Sequence, residues 1–147
     1  MAIILLPAVV LADDSAAQIG EKGYASLQEA VDAAEEGQTI TLLKDIVLDS
    51  TVTITSGHKA FTLDLNGKII NSGQKVAIRH SGSNTLTIID SSGNGRGCIR
   101  SAMPTRMREG TIYLEGGAAE DTVLVIKSGS VQSITKQLRY FIWAMAA

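Results

Sequence analysis

The stretch Thr62-Leu63-Asp64-Leu65-Asn66-Gly67-Lys68-Ile69-Ile70 ("TLDLNGKII") carries the decision about the fold. An alternating strand breaks at Asn66-Gly67 and resumes at once as a second short aliphatic strand. Asn-Gly between two β-rich runs ordinarily marks a hairpin, whose second strand should match the first in length. Lys68-Ile69-Ile70 is too short for that. The same unit of strand, glycine turn and short strand returns at 87–101 ("TIIDSSGNGRGCIRS") and at 123–133 ("VLVIKSGSVQS"). Gly67-x-Ile69, Gly97-x-Ile99 and Gly129-x-Val131 align as anchors, 30 and 32 residues apart. "TITLLKDIVL" (39–48) reads as an earlier, degenerate copy. A fixed-period repeat points to stacked, parallel coils. The expected fold is therefore all-β: a parallel β-helix in which the chain bends at Asn66-Gly67 and continues around the same coil. Leu63 and Leu65 are then expected to stack on Ile88 and Val125 of later coils, with coils about 4.8 Å apart. A β-sandwich is the alternative, because short strands about ten residues apart with polar turns also suit one.

Before the strands, "YASLQEAVDAAEEGQ" predicts an amphipathic helix over about 25–36. Leu27, Ala30, Val31 and Ala34 fall at i, i+3, i+4 and i+7 and form one apolar stripe. Ser26 and Glu29 make an S-x-x-E capping box, and Gly37 stands where a glycine stop belongs. An open coil end exposes strand edges and an apolar cross-section, so a covering helix has a physical purpose. The reading places the β-helix domain at 13–135, with coils over about 39–133. The first residues, "MAIILLPAVVLADD", form an apolar run ending Val10-Leu11-Ala12. Residues 1–12 are expected to be a signal-peptide remnant, with a first β-strand packed on the core as the alternative. The run is too short to span a bilayer. Residues 136–147 form an apolar tail. Tyr140, Phe141 and Trp143 are expected to cover the last coil or to bury themselves in a second copy of the chain.

Composition narrows the function classes. The 147 residues are 45% hydrophobic but only 4% aromatic, so aliphatic side chains must do the packing. Net charge is −2 with both signs interspersed, which gives no broad attraction for nucleic acid or an anionic membrane. Arg100, Arg106 and Arg108 read as a solvated loop cluster. Cys98 is the only cysteine, so no internal disulfide can form.

Residues 24–70, "YASLQEAVDAAEEGQTITLLKDIVL" through "FTLDLNGKII", resemble the start of pectate-lyase-like right-handed parallel β-helix domains of bacterial surface proteins. The resemblance covers about 23–133 and is most specific over 24–70. It implies a helix-capped solenoid that is secreted or displayed at the cell surface as a non-catalytic spacer or adhesion module. Glycans or host surface proteins are the implied partners, and self-association through the tail is a further expectation. The alternative is a truncated carbohydrate-active lyase or hydrolase of pectin-type polysaccharides whose active site lies largely outside this chain.

Relatives of this fold that cleave pectin resemble one another in a calcium-binding acidic cluster with a catalytic Arg or Lys, or in Asn-Thr-Asp, Asp-Asp and Gly-His-Gly stretches. No such set is present. The acidic pairs Asp13-Asp14 and Glu35-Glu36 stand at a leader end and a helix end, and Glu120-Asp121 lies in a glycine-alanine loop. Asp64 and Asp90 are the weak catalytic candidates, because stacked carboxyls could approach the roughly 5–5.5 Å used by retaining glycosidases. Against this, both could point outward beside a turn and hold it by an Asx hydrogen bond, and Asp64 registers with Ile89 as readily as with Asp90. His58 and His80, 22 residues apart, are the weak metal candidates, without a third ligand at suitable spacing. Cys98 is either an outward thiol or a small buried hydrophobe. "SSGNGRG" is a glycine turn without the following helix that a phosphate loop needs. No cofactor is expected.

Overall fold

The computed structural model describes residues 14–103, 110–115 and 124–134. In chain order the elements are β1 (Ala17–Ile19), β2 (Lys22–Tyr24), α1 (Leu27–Ala33), β3 (Thr39–Leu42), β4 (Ile46–Val47), β5 (Val52–Ile54) and β6 (Phe61–Asp64). They continue with β7 (Ile69–Asn71), β8 (Ile78–His80), β9 (Leu86–Ile89), β10 (Cys98–Ser101), β11 (Ile112–Leu114), β12 (Leu124–Ile126) and β13 (Ser130–Ser133). From β3 onward every third strand belongs to the same sheet. One sheet holds β3, β6, β9 and β12, a second holds β4, β7, β10 and β13, and a third holds β5, β8 and β11. All pairs within these three sets are parallel. The described residues are thus mostly β, with parallel sheets and one short helix.

Parallel pairing disposes of the sandwich reading, since sandwich sheets are antiparallel. It also makes the core a set of columns running across the sheets. Ile40, Leu63 and Ile88 are register partners and are at most 1% exposed. Val52 and Ile78 continue to Ile112, and Ile46, Ile70 and Ile99 continue to Val131. Burying one such aliphatic side chain contributes about 1.5–3 kcal/mol, so stacked columns can stabilise a chain this poor in aromatics.

Two register expectations need correction. The Leu63 column passes through Ile88 to Ile126, and Val125 pairs instead with Thr87. Ile99 pairs with Ile70, so Ile69 lies beside Cys98, one residue away from the glycine alignment. The cause is turn length. Leu65–Lys68 connects β6 to β7, whereas the equivalent connection from β9 to β10 runs from Asp90 to Gly97. Counting from a glycine therefore slips the strand by one, which is a change of face.

The N-terminal end differs from expectation as well. β1 and β2 form an antiparallel hairpin through Gly20 (φ +57°), and β1 also pairs antiparallel with β3. The helix is shorter than 25–36. Ser26 is its N-cap, accepting from the Glu29 N–H at 3.2 Å, and Ala34 ends it, three residues before Gly37. Glu29 Oε2 in turn accepts from the Ala25 N–H at 3.2 Å. Leu27, Ala30 and Val31 face the core as the stripe requires, and α1 packs on β1, β2 and β5. Residues 1–12 and 136–147, with the leader and tail expectations attached to them, lie outside the described residues.

β5 is an end strand of its sheet, and α1 meets its edge with a side-chain amide. Gln28 Nε2 donates to the Thr53 carbonyl at 3.1 Å, and Gln28 Oε1 accepts from the Thr53 N–H at 2.8 Å. One glutamine thus supplies both groups that a further strand would have offered. Gln28→Ala should cost about 1–2 kcal/mol. A thermal melt should show this as a fall in Tm of about 2–8 °C.

Candidate functional site

The turn after β6 and the turn after β9 stack on one another, and their aspartates face each other's backbone. Asp64 Oδ1 accepts from the Asn66 N–H at 2.9 Å, within its own turn, and from the Ser91 N–H at 3.0 Å in the next. Its Oδ2 accepts from Ser91 Oγ at 2.6 Å. Asp90 Oδ1 accepts from the Gly67 N–H of the preceding turn at 2.8 Å, and from Ser92 Oγ at 2.7 Å. The Ser92 N–H approaches the same oxygen at 3.3 Å, and Asp90 Oδ2 accepts from the Gly97 N–H at 2.9 Å. The ladder extends at both ends. Asn66 Nδ2 donates to the Leu42 carbonyl at 3.0 Å, and the Asp90 N–H donates to Ser128 Oγ at 2.7 Å.

This is what the Asn66-Gly67 break accomplishes. Both residues hold left-handed backbone, φ +47° and +70°, which turns the Gly67 N–H toward Asp90. A side chain at Gly67 would also strike Asn94 and Ser92. Asn66 tolerates the left-handed region better than most residues, and its amide is anchored on the Leu42 carbonyl.

The carboxylates are consequently occupied. A general base or nucleophile needs a lone pair directed at substrate, yet each of these groups is encircled by turn donors. Asp64 is buried, against the expectation that it points outward, and it registers with Ile89 rather than Asp90. Asp90 titrates below its ordinary 3.8, chiefly through the Ser92 hydroxyl; burial opposes this, and the Gly67, Gly97 and Ser92 N–H groups add to the lowering. A folded-state value below the unfolded one means that folding releases protons. The resulting stabilisation is present above pH 3.8 and disappears as pH falls through the folded value. Denaturant melts from pH 6 to pH 2 should therefore show a loss of stability on acidification that is smaller in Asp90→Asn than in the parent.

The histidines do not stack. His80 is in register with Ile54 and Leu114. It is 1% exposed, with Nε2–H donating to the Asn84 carbonyl at 2.7 Å and Nδ1 accepting from the Gly82 N–H at 3.2 Å. His58 sits in the loop beyond β5. Its Nδ1 accepts from the Thr55 N–H at 2.9 Å, and its Nε2 meets Asp32 Oδ1 on α1 at 3.0 Å. With both ring nitrogens engaged, neither histidine offers a lone pair to a metal. Among the described residues, no three His, Cys, Asp or Glu side chains gather where an ion could sit.

Asp32 and Gln28 are site residues that sequence reasoning missed. Gln28 Nε2 also donates to Asp32 Oδ1 at 2.7 Å, so the helix, His58 and β5 share one polar latch. The His58 contact, then Gln28, holds the Asp32 carboxyl below 3.8. The only available signal was their i, i+4 spacing on the side of the helix away from the apolar stripe. Cys98 is buried and beside Ile69, which settles its two alternatives in favour of the small hydrophobe.

A cleft of about 290 Å³ lies between Ser26–Gln28 and the segment 44–52. Its charged groups do not converge on a common point. Lys44 is taken by Asp14 at 2.9 Å and Asp45 by Arg96 at 3.1 Å. The two described tyrosines each carry a cation over the ring, Lys22 on Tyr24 and Arg79 on Tyr113, both at 5.1 Å. No helix among the described residues is long and apolar enough to cross a membrane. Comparison with protein-family models, with curated proteins and with solved structures found no match.

Proposed function

We propose that the chain is a right-handed parallel β-helix acting as a non-catalytic extracellular module, a spacer or adhesion element of a bacterial surface or secreted protein. The solenoid reading is supported by strands that visit three parallel sheets in strict rotation. Its hand rests on the steric rule that parallel crossovers are right-handed in about 98% of cases. In this reading α1 and the β1–β2 hairpin are the cap of the first coil, and the family resemblance of residues 24–70 supplies the extracellular setting.

The observation that carries the non-catalytic assignment is the saturation of Asp64 and Asp90 by turn donors. Chemistry at either carboxylate would have to dismantle the turns that stack one coil on the next. The test has two arms. The purified chain is incubated with pectin and polygalacturonate, with and without calcium, while unsaturated product and reducing ends are followed. It is also applied to glycan arrays and to immobilised host surface proteins. The expected result is no turnover, with any retention confined to the binding arm. Polymer cleavage that tracks the purified chain would overturn the assignment.

A further inference from the structure

We propose that Asn94-Gly95 is a site of spontaneous deamidation, at which the turn between β9 and β10 acquires a carboxylate beside Asp90. The inference rests on the stacked turns and not on where the protein works.

Asparagine followed by glycine is especially open to this chemistry, because glycine has no side chain to shield its backbone nitrogen. The chain contains the pair twice, at Asn66-Gly67 and at Asn94-Gly95. The two are held differently. The Gly67 N–H donates to Asp90 Oδ1 at 2.8 Å, and the Asn66 amide is tied to the Leu42 carbonyl at 3.0 Å. There the nucleophile is occupied and the leaving amide is anchored on β3. Asn94 and Gly95, by contrast, are both exposed. Nothing among the described residues accepts from the Gly95 N–H. A side chain at Gly95 would meet no atom within 4 Å, so solvent reaches the nitrogen. The Arg96 N–H donates to Asn94 Oδ1 at 2.8 Å. That bond curls the side chain back over the Gly95 peptide and polarises its carbonyl toward attack.

The step needs only water. The Gly95 nitrogen gives its proton to solvent hydroxide and bonds to Asn94 Cγ. The Cγ–Nδ2 bond breaks, and the side-chain nitrogen takes a proton from water and leaves as ammonia. Water then opens the five-membered imide at either carbonyl, giving aspartate or isoaspartate. One water enters and one ammonia departs. The product matters because of where Asn94 lies. Its Oδ1 is 2.8 Å from Ser92 Oγ, the hydroxyl that donates to Asp90 Oδ1 at 2.7 Å. One hydroxyl proton serves only one carboxylate at a time. A charge at position 94 therefore competes with Asp90 for its partner and repels it. The isoaspartate form also lengthens the backbone by one carbon inside the connection from Asp90 to Gly97.

The full chain is incubated in mildly alkaline buffer at physiological temperature, folded and in guanidinium, and its tryptic peptides are followed by mass spectrometry. Residues 60–68 report on Asn66, and residues 80–96 report on Asn94, located by fragmentation. In the folded chain Asn94 should react faster than Asn66 by roughly ten- to a hundred-fold, the factor that a hydrogen bond to a carboxylate represents. In guanidinium the two rates should converge. Equal rates in the folded chain, or a ratio that unfolding leaves unchanged, would overturn the proposal. The deamidated fraction, separated by its extra negative charge, should melt several degrees below the intact chain, and Asn94→Ser held under the same conditions should show no such decline with time. A deamidated fraction that melts with the parent would refute the coupling to Asp90.

Discussion

Val31→Asp should remove about 3–5 kcal/mol of stability at neutral pH. Val31 is 2% exposed on the buried face of α1, beside Leu27 and Ala30, which are equally enclosed. A carboxylate there would be buried among aliphatic groups. Leaving an uncompensated charge inside a protein costs about 3–5 kcal/mol, against a total stability of about 5–15 kcal/mol for a domain. The damage should spread beyond the helix. If α1 lifts away, Gln28 leaves Thr53, and Asp32 leaves His58, so the edge of β5 loses its side-chain partner together with its apolar cover. Val31→Ala separates these effects, because it trims the packing without adding charge and should cost only about 1–2 kcal/mol. The sign of the pH response identifies the mechanism. A buried aspartate without a cation has a raised folded-state value, so the deficit of Val31→Asp relative to the parent should narrow as pH falls toward 4. Chemical denaturation at several pH values checks this. A deficit that widens on acidification would mean that the new carboxylate had found a partner.

How far the sequence disclosed this arrangement depends on which physical signal each feature leaves. Alternation of aliphatic and polar residues marks strands directly, and β3, β6 and β9 fall within the segments read that way. Parallel pairing was legible from Asn66-Gly67, since a short second strand excludes a hairpin. Register was not. Partners are 23 residues apart at Thr39 and Thr62, 25 at Phe61 and Leu86, and 38 at Leu86 and Leu124. Turns absorb insertions at little cost in closure entropy, so no fixed period survives. The β1–β2 hairpin was hidden because its strands are three residues long and contain no alternating pattern. The latch of Gln28, Asp32 and His58 was hidden for another reason. Polar residues on the outer side of a helix are ordinarily solvated, and nothing in the chain says which loop will come to meet them. Asp64 and Asp90 were legible as a choice between chemistry and turn-holding, and only the geometry of their donors separates the two.

That choice yields the second large effect. Asp90→Ala removes a carboxylate that accepts from Gly67, Gly97 and both donors of Ser92, which belong to its own turn and to the one before it. Gly97 and the Asp90 side chain are so close that a methyl on Gly97 would lie 2.5 Å from Asp90 Cγ. The freed N–H groups therefore sit in a tight corner where water replaces the carboxylate poorly. A loss of about 2–4 kcal/mol is expected. Asp90→Asn should lose nearly as much, because an amide nitrogen would confront an N–H donor at one of the two oxygen positions. Gly97→Ala should reproduce the defect with the aspartate still present, by displacing it. A catalytic aspartate predicts the opposite pattern: Asp90→Asn would keep or raise stability and abolish turnover, and Gly97→Ala would have no particular kinship with it. Equilibrium unfolding of the three variants thus decides between the roles without any knowledge of a substrate. If all three fall together, Asp90 is a strut between stacked turns, and its charge serves the stack rather than a reaction.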